Sequence, residues 1–213
     1  MATPDNSNTG AEPMSGGPNT EGPEYTARLA RLEQAKWKRL INAQAPYRWN
    51  IRRLDPGFTL DVGCGLGRNL AHLDGHGVGV DHNPDSIARV RAKGFVGFTV
   101  AEFFNSDYAK RGTFDTMLGA HVVEHMPESD AISIVGSYLP FIKPGGKVIF
   151  ITPQERGYAT DATHVRFVGF NEQLDLAGKL ALTVERQFSF PFPRVAGKYF
   201  PYNEFVCVGT VVG

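Results

Sequence analysis

The sequence predicts an α/β protein built on a doubly wound, mostly parallel sheet. Three observations lead there. An apolar run over 58–62 breaks into glycines at Gly63, Gly65 and Gly67, and a helical pattern begins directly afterwards at Arg68. Short apolar runs then alternate with helix-period segments along most of the chain, the signature of strand–helix–strand units. The last two apolar runs have no helix between them, so one strand must run antiparallel.

Taken in order, residues 1–24 are rich in Pro, Gly, Ser, Thr and Asn, contain no Lys or Arg, and show no hydrophobic period. Such a segment has too little apolar surface to offset its ordering entropy, and a disordered tail is expected. Over 25–53, Leu29, Leu32, Ala35, Trp37, Leu40 and Ile41 recur at roughly helical spacing, with eight basic residues against the single acid Glu33. This segment reads as a helix with a solvated basic face, or as a helical lid in which Tyr47-Arg48-Trp49 covers a ligand.

The main domain, 54–213, follows. A strand is expected at 59–62, a helix from Gly67, a strand at 78–80 and a helix over 84–93, with Pro84 suited to its first turn. Further strands are expected at 96–100 and 114–118, then a helix over 128–141 stopped by Pro144-Gly145-Gly146. A strand at 147–152 precedes a helix over 171–180, with Asn171 as its N-cap. Strands at 182–190 and 205–212 close the chain.

Composition limits the function classes. The 213 residues suffice for one domain with a sizeable core plus a tail. Basic and acidic residues balance at 22 each, which argues against a dedicated nucleic-acid binder. The two cysteines, Cys64 and Cys207, have no metal or disulfide spacing; Cys64 reads as packing inside the glycine turn. No apolar run reaches membrane-span length and the N-terminus lacks an apolar signal core, so a cytoplasmic location is expected.

The glycine turn carries the chemistry. Glycines between strand and helix permit positive φ and let a ligand approach the main chain closely. Twenty residues after Asp61, the next apolar run ends in Asp81, placed to accept hydrogen bonds from ribose hydroxyls. This reads as a nucleoside-cofactor site. A dinucleotide fingerprint G-x-G-x-x-G would need glycine where Arg68 stands. The pattern here is D-x-G-x-G-x-G, from Asp61 to Gly67.

That pattern, with Asp81, resembles motif I of the class I S-adenosylmethionine-dependent methyltransferases, over roughly residues 45–212. The resemblance implies a seven-stranded, Rossmann-like sheet with one antiparallel strand, and S-adenosylmethionine as cofactor. It implies a cofactor site made of Asp61, Gly63, Gly65, Arg68, Asp81, His82, Glu102, Phe103 and Ala120. In it the glycine turn meets the methionine carboxylate, aided by its amides or Arg68, Asp81 holds the ribose, and Glu102 and Phe103 flank the adenine. A nicotinamide-dependent oxidoreductase and a silent cofactor-binding scaffold are the competing readings.

Two later clusters bear on catalysis. His121-Val-Val-Glu124-His125 formally matches an inverted zinc-protease motif, but it is similar to a segment after the fourth strand of many small-molecule methyltransferases. There the Glu-His pair orders the turn, and His121 faces the active site. Asp161-Ala-Thr-His164-Val-Arg166-Phe resembles a stretch of bacterial sugar O-methyltransferases, those of polymethylated polysaccharide synthesis among them. His121 or His164, aided by Asp161, is the expected general base for a hydroxyl acceptor. Either Asp161 orients His164, or the two help hold a hard divalent cation such as Mg2+; alternatively His164 and Arg166 only pin the loop. The expected partner is a small-molecule acceptor, a sugar above all. The aromatic, proline-stiffened segment 190–202 reads as a wall for that acceptor or as a homodimer surface.

Overall fold

A computed structural model describes residues 44–212. The expected tail, 1–24, and the first part of the expected lid lie outside the described residues. The described residues begin with α1 (Gln44–Arg53), followed by β1 (Thr59–Val62), α2 (Arg68–His72), β2 (Gly77–Asp81) and α3 (Pro84–Ala92). Then come β3 (Gly97–Thr99), α4 (Val100–Phe104), β4 (Phe114–Ala120), α5 (Glu128–Tyr138) and β5 (Ile142–Pro153). The short α6 (Glu155–Tyr158), α7 (Phe170–Lys179), β6 (Leu182–Phe190) and β7 (Glu204–Val211) complete it.

The seven strands form one sheet in the order β3-β2-β1-β4-β5-β7-β6. The first five are mutually parallel, and β7 runs antiparallel between β5 and β6. Central β1 and β2 are buried at every residue, as strands covered on both faces must be. The order reverses between β1 and β4, and a crevice outside the carboxyl ends of strands opens at such a switch point. Because β7 is antiparallel, its first residue, Glu204, pairs with Pro153 at the end of β5. This places an acid at the same carboxyl edge.

Local chemistry moves several boundaries. The expected third strand stops at Thr99 because Thr99 and Glu102 form a capping box: the Thr99 hydroxyl accepts from the Glu102 amide, and the Glu102 carboxylate accepts from the Thr99 amide at 2.8 Å. The helix after β4 ends at Tyr138, passing into a 3-10 turn over Leu139–Phe141 with Pro140 in its first positions. Pro144-Gly145-Gly146 therefore lies inside β5, at a shift in its register with β4, and does not stop the helix. Asn171 is not an N-cap: α7 starts at Phe170, and Glu172 takes the Gly169 amide at 2.9 Å.

Candidate active site

The turn after β1 is held by its own backbone. The Gly63 and Cys64 amides donate to the Val80 carbonyl at 2.8 and 3.1 Å, tying the turn to the end of β2. Gly63, Gly65 and Gly67 take φ of 71°, 51° and 77°, a region costly for side-chain-bearing residues. Their surroundings differ. A Cβ at Gly63 would meet Val122 Cγ2 at 2.4 Å, whereas one at Gly65 would meet nothing within 4 Å. Gly63 is needed for packing, whereas the flank of Gly65 is open. Cys64 fills space beneath, where it would collide with any Cβ at Gly79, and burial pushes its thiol far up.

Asp81 closes the mouth of this turn. Its Oδ2 accepts from the Gly65 amide at 2.8 Å and its Oδ1 from the Asn83 amide at 2.9 Å. Each oxygen keeps a second lone pair, so a fixed carboxylate with spare acceptor capacity stands at the carboxyl end of β2, one strand from the switch point. His82 lies beside it, its Nδ1 3.5 Å from Asp81 Oδ1. Asp61, fully buried, accepts from Asn69 at 3.3 Å on one oxygen and has no donor on the other. Burial, partly offset by Asn69 and the Arg68 charge, raises its carboxyl to about 7. Such an orphaned buried oxygen is ready for a cationic ligand group.

Arg68 opens α2 and is exposed. With Tyr47, Asn50, Ile51, Asn69, His72, Ala120, Ile151 and Glu204 it borders a narrow pocket of about 10 Å³, room for one water. A larger hollow of about 340 Å³ lies at Asp115 and Lys143, on the opposite amino edge of the sheet. Its position is wrong for a ligand of an open α/β sheet. Helix α1 reaches the carboxyl edge: Tyr47 Oη donates to the Tyr202 carbonyl at 2.5 Å, and Arg52 Nε to the His72 carbonyl at 2.7 Å.

His121 follows β4 with φ of 60°, a conformation that costs a non-glycine residue on the order of 1 kcal/mol or more. Its amide donates to the Ile151 carbonyl at 2.8 Å. Its Nε2 lies 2.9 Å from Glu204 Oε1, and its Nδ1 3.3 Å from Glu124 Oε1. Burial works against the charged imidazole, but the two carboxylates outweigh it and raise His121 to about 9. Both ring nitrogens of His121 thus face carboxylates.

The second cluster is held by hydrogen bonds within its own loop. Asp161 Oδ1 accepts from the amide and hydroxyl of Thr163, at 3.0 and 2.8 Å, so it shapes the loop. His164 Nδ1 lies 2.7 Å from the Tyr158 carbonyl, and its ring stacks on Tyr158. Among the described residues, the donors close enough to share an ion are Glu124, His125 and His164, and Asp161 is not in that group.

Glu102 and Phe103, expected to flank the adenine, lie in α4. Phe103 is fully buried against Phe114, Tyr138 and Phe141, and Glu102 is occupied by its cap and by Arg91 at 2.8 Å. Both sit beyond the strand end because the capping box begins α4 early. Sequence reasoning missed Glu204, a lone acid that opens the apolar run Phe205–Val208 where Asp81 ends its own run. Only the antiparallel course of β7 reveals to which edge it points.

Segment 190–202 also meets this edge. Asn203 ties it down, donating to Ser189 Oγ at 2.9 Å and Gln154 Oε1 at 3.0 Å and accepting from the Phe192 amide at 2.9 Å. Phe192, Tyr199 and Tyr202 are exposed, and Arg194 pairs with Glu155.

A family model described as a methyltransferase domain matches residues 29–188. A ubiquinone biosynthesis O-methyltransferase of Aliivibrio fischeri (strain MJ11) is 30% identical over 102 residues, 44% of this chain and 43% of that protein. The match thus spans less than half the length of that relative. A SAM-dependent methyltransferase structure from Thermotoga maritima superposes with a TM-score of 0.63 at 17% identity, covering 88% of this chain and 98% of that one. The magnesium protoporphyrin IX methyltransferase of Synechocystis PCC 6803, solved with bound SAM, superposes with a TM-score of 0.55 at 13% identity, covering 87% and 97%.

Proposed function

The chain belongs to the methyltransferase-domain family, and from that premise we propose that it moves the methyl group of S-adenosylmethionine to an oxygen of a small, hydroxyl-bearing acceptor. The observation that carries the reading is the open flank of Gly65 facing the anchored carboxylate of Asp81. The sulfonium supplies an activated methyl group and a neutral leaving group. Everything else falls to the chain.

Asp81 takes the ribose diol with the lone pairs that Gly65 and Asn83 leave free. Asp61 and Arg68 serve the ammonium and carboxylate of the methionine end, the buried carboxylate becoming ionised as a cation arrives. His82 and Val100, beside the ends of β2 and β3, replace Glu102 and Phe103 as the border of the adenine. Ala120 and Tyr47 border the path on which the methyl group travels, and α1 acts as a lid over it.

Glu204, fixed by His121 on one oxygen and bordering the pocket, accepts the hydroxyl proton of the acceptor. General-base help of this kind is worth about 10²–10⁴ in rate. Oxygen as the receiving atom agrees with the name of the Aliivibrio fischeri relative. The exposed aromatics of 190–202 suit an amphipathic acceptor such as a sugar. The same surface would also serve a homodimer, which sedimentation velocity separates by mass.

Calorimetry with S-adenosylhomocysteine and with a nicotinamide dinucleotide tests the reading. Binding of the first and not the second is expected, followed by label transfer from methyl-labelled cofactor to members of a sugar and phenol panel. Binding of the dinucleotide alone would overturn it.

A further inference from the structure

We propose that Glu124, His125 and His164 form a site for one divalent transition-metal ion of the zinc type. It lies beside the cofactor crevice and does not depend on the methyl-transfer reading. One donor atom from each of the three residues lies within 4.8 Å of the other two. Two independent features point to a ligand there.

The first is the Glu124 carboxylate. It is fully buried, and neither oxygen has a hydrogen-bond donor. His121 Nδ1 approaches Oε1 to 3.3 Å, but out of line for a hydrogen bond. The His121 ring serves Glu204 as well, so both Glu124 oxygens stay open to a further cation, and a buried carboxylate without donors is strongly penalised.

The second is the setting of the two rings. His125 Nδ1 lies 3.2 Å from the Thr163 carbonyl, and His164 Nδ1 lies 2.7 Å from the Tyr158 carbonyl. A carbonyl only accepts, so each Nδ1 carries the proton and each Nε2 the lone pair. The Thr163 hydroxyl near His125 does not change this, because its hydrogen goes to Asp161. Outer carbonyls orient metal-bound imidazoles in this same way. The rings are 4.7 Å apart at their centroids and tilted by 50°, so they can converge on one point.

The donor set chooses the ion. Two imidazoles and one carboxylate suit Zn2+ and its transition-metal neighbours, whereas Mg2+ prefers oxygen donors throughout. Zinc bonds of 2.0–2.2 Å place tetrahedral donors about 3.4 Å apart, so closure needs inward movement of about 1 Å. The ion would bind the turn after β4 to the loop over 158–167.

Chelator-stripped full-length chain titrated with Zn2+, and separately with Co2+, tests this. The expected result is about one equivalent per chain, with the intense visible bands of low-coordinate cobalt. His125→Gln and His164→Gln should each weaken Zn2+ binding at least about 100-fold while S-adenosylhomocysteine affinity, measured on the same samples, stays put. Absence of stoichiometric Zn2+ binding by the unmodified chain overturns the proposal, and so does unchanged affinity in both variants. If neither variant folds, the Co2+ spectrum of the unmodified chain decides alone: six-coordinate, weak bands reject the site. Since cofactor binding is read separately, failure of the metal site leaves the methyl-transfer reading untouched, and the reverse holds.

Discussion

Replacing Asp81 by Ala tests the cofactor site most sharply. In the fold, the carboxylate accepts the Gly65 amide at 2.8 Å and the Asn83 amide at 2.9 Å. Its spare lone pairs are the proposed ribose acceptors. A hydrogen bond to a charged acceptor contributes about 1.5–3 kcal/mol, so losing two from the ribose diol removes about 3–6 kcal/mol before water substitutes for them. Allowing for that substitution, S-adenosylhomocysteine should bind at least about 100-fold more weakly, or about 2.7 kcal/mol. The Gly65 amide, left without its acceptor, should also lower stability by about 1–3 kcal/mol. Asp81→Asn separates these effects: its side-chain carbonyl can still accept one amide, so most stability returns while affinity remains low. Isothermal calorimetry with parallel denaturant unfolding measures both. Affinity within threefold of the unmodified chain in Asp81→Ala would refute the assignment.

Asp61 makes a pH prediction. Burial raises its carboxyl to about 7 from 3.8, so its contribution is fully present below 3.8 and is lost as pH rises through about 7. At 1.36 kcal/mol per unit the upper bound is on the order of 4 kcal/mol. Asp61→Asn should unfold at higher denaturant than the unmodified chain at pH 8, and the gap should shrink toward pH 5; a pH-independent gap contradicts the argument. The two glycines should divide. Gly63→Ala, with its 2.4 Å approach to Val122, should lose about 1–3 kcal/mol of stability. Gly65→Ala should lose less stability but at least about tenfold in cofactor affinity, because its Cβ enters the open flank. Glu204→Gln should lower turnover by about 10² or more while S-adenosylhomocysteine affinity is kept, and unchanged turnover would remove Glu204 as proton acceptor.

The sequence by itself determined what neighbouring residues decide among themselves. The strand, glycine turn and helix over 58–73 are legible because steric freedom at Gly63, Gly65 and Gly67 and the apolar run before them are local properties. Asp81 is legible for the same reason, as a single acid ending a buried run. The early end of β3 was written there too, in the Thr99-x-x-Glu102 capping box, beneath an apolar stretch that also fits a strand. Tertiary structure decided which distant groups meet. His121 acquires its distant carboxylate, Glu204, because β4, β5 and β7 lie side by side, with β7 reversed, so that residue 204 stands at the edge where residue 121 emerges. Glu124, His125 and His164 converge because the loop after β5 folds back on the turn after β4, with the Val165 and Arg166 amides donating to the Glu124 carbonyl. Sheet order and strand direction are set by the burial of whole faces, a sum over the chain, and no single motif encodes them.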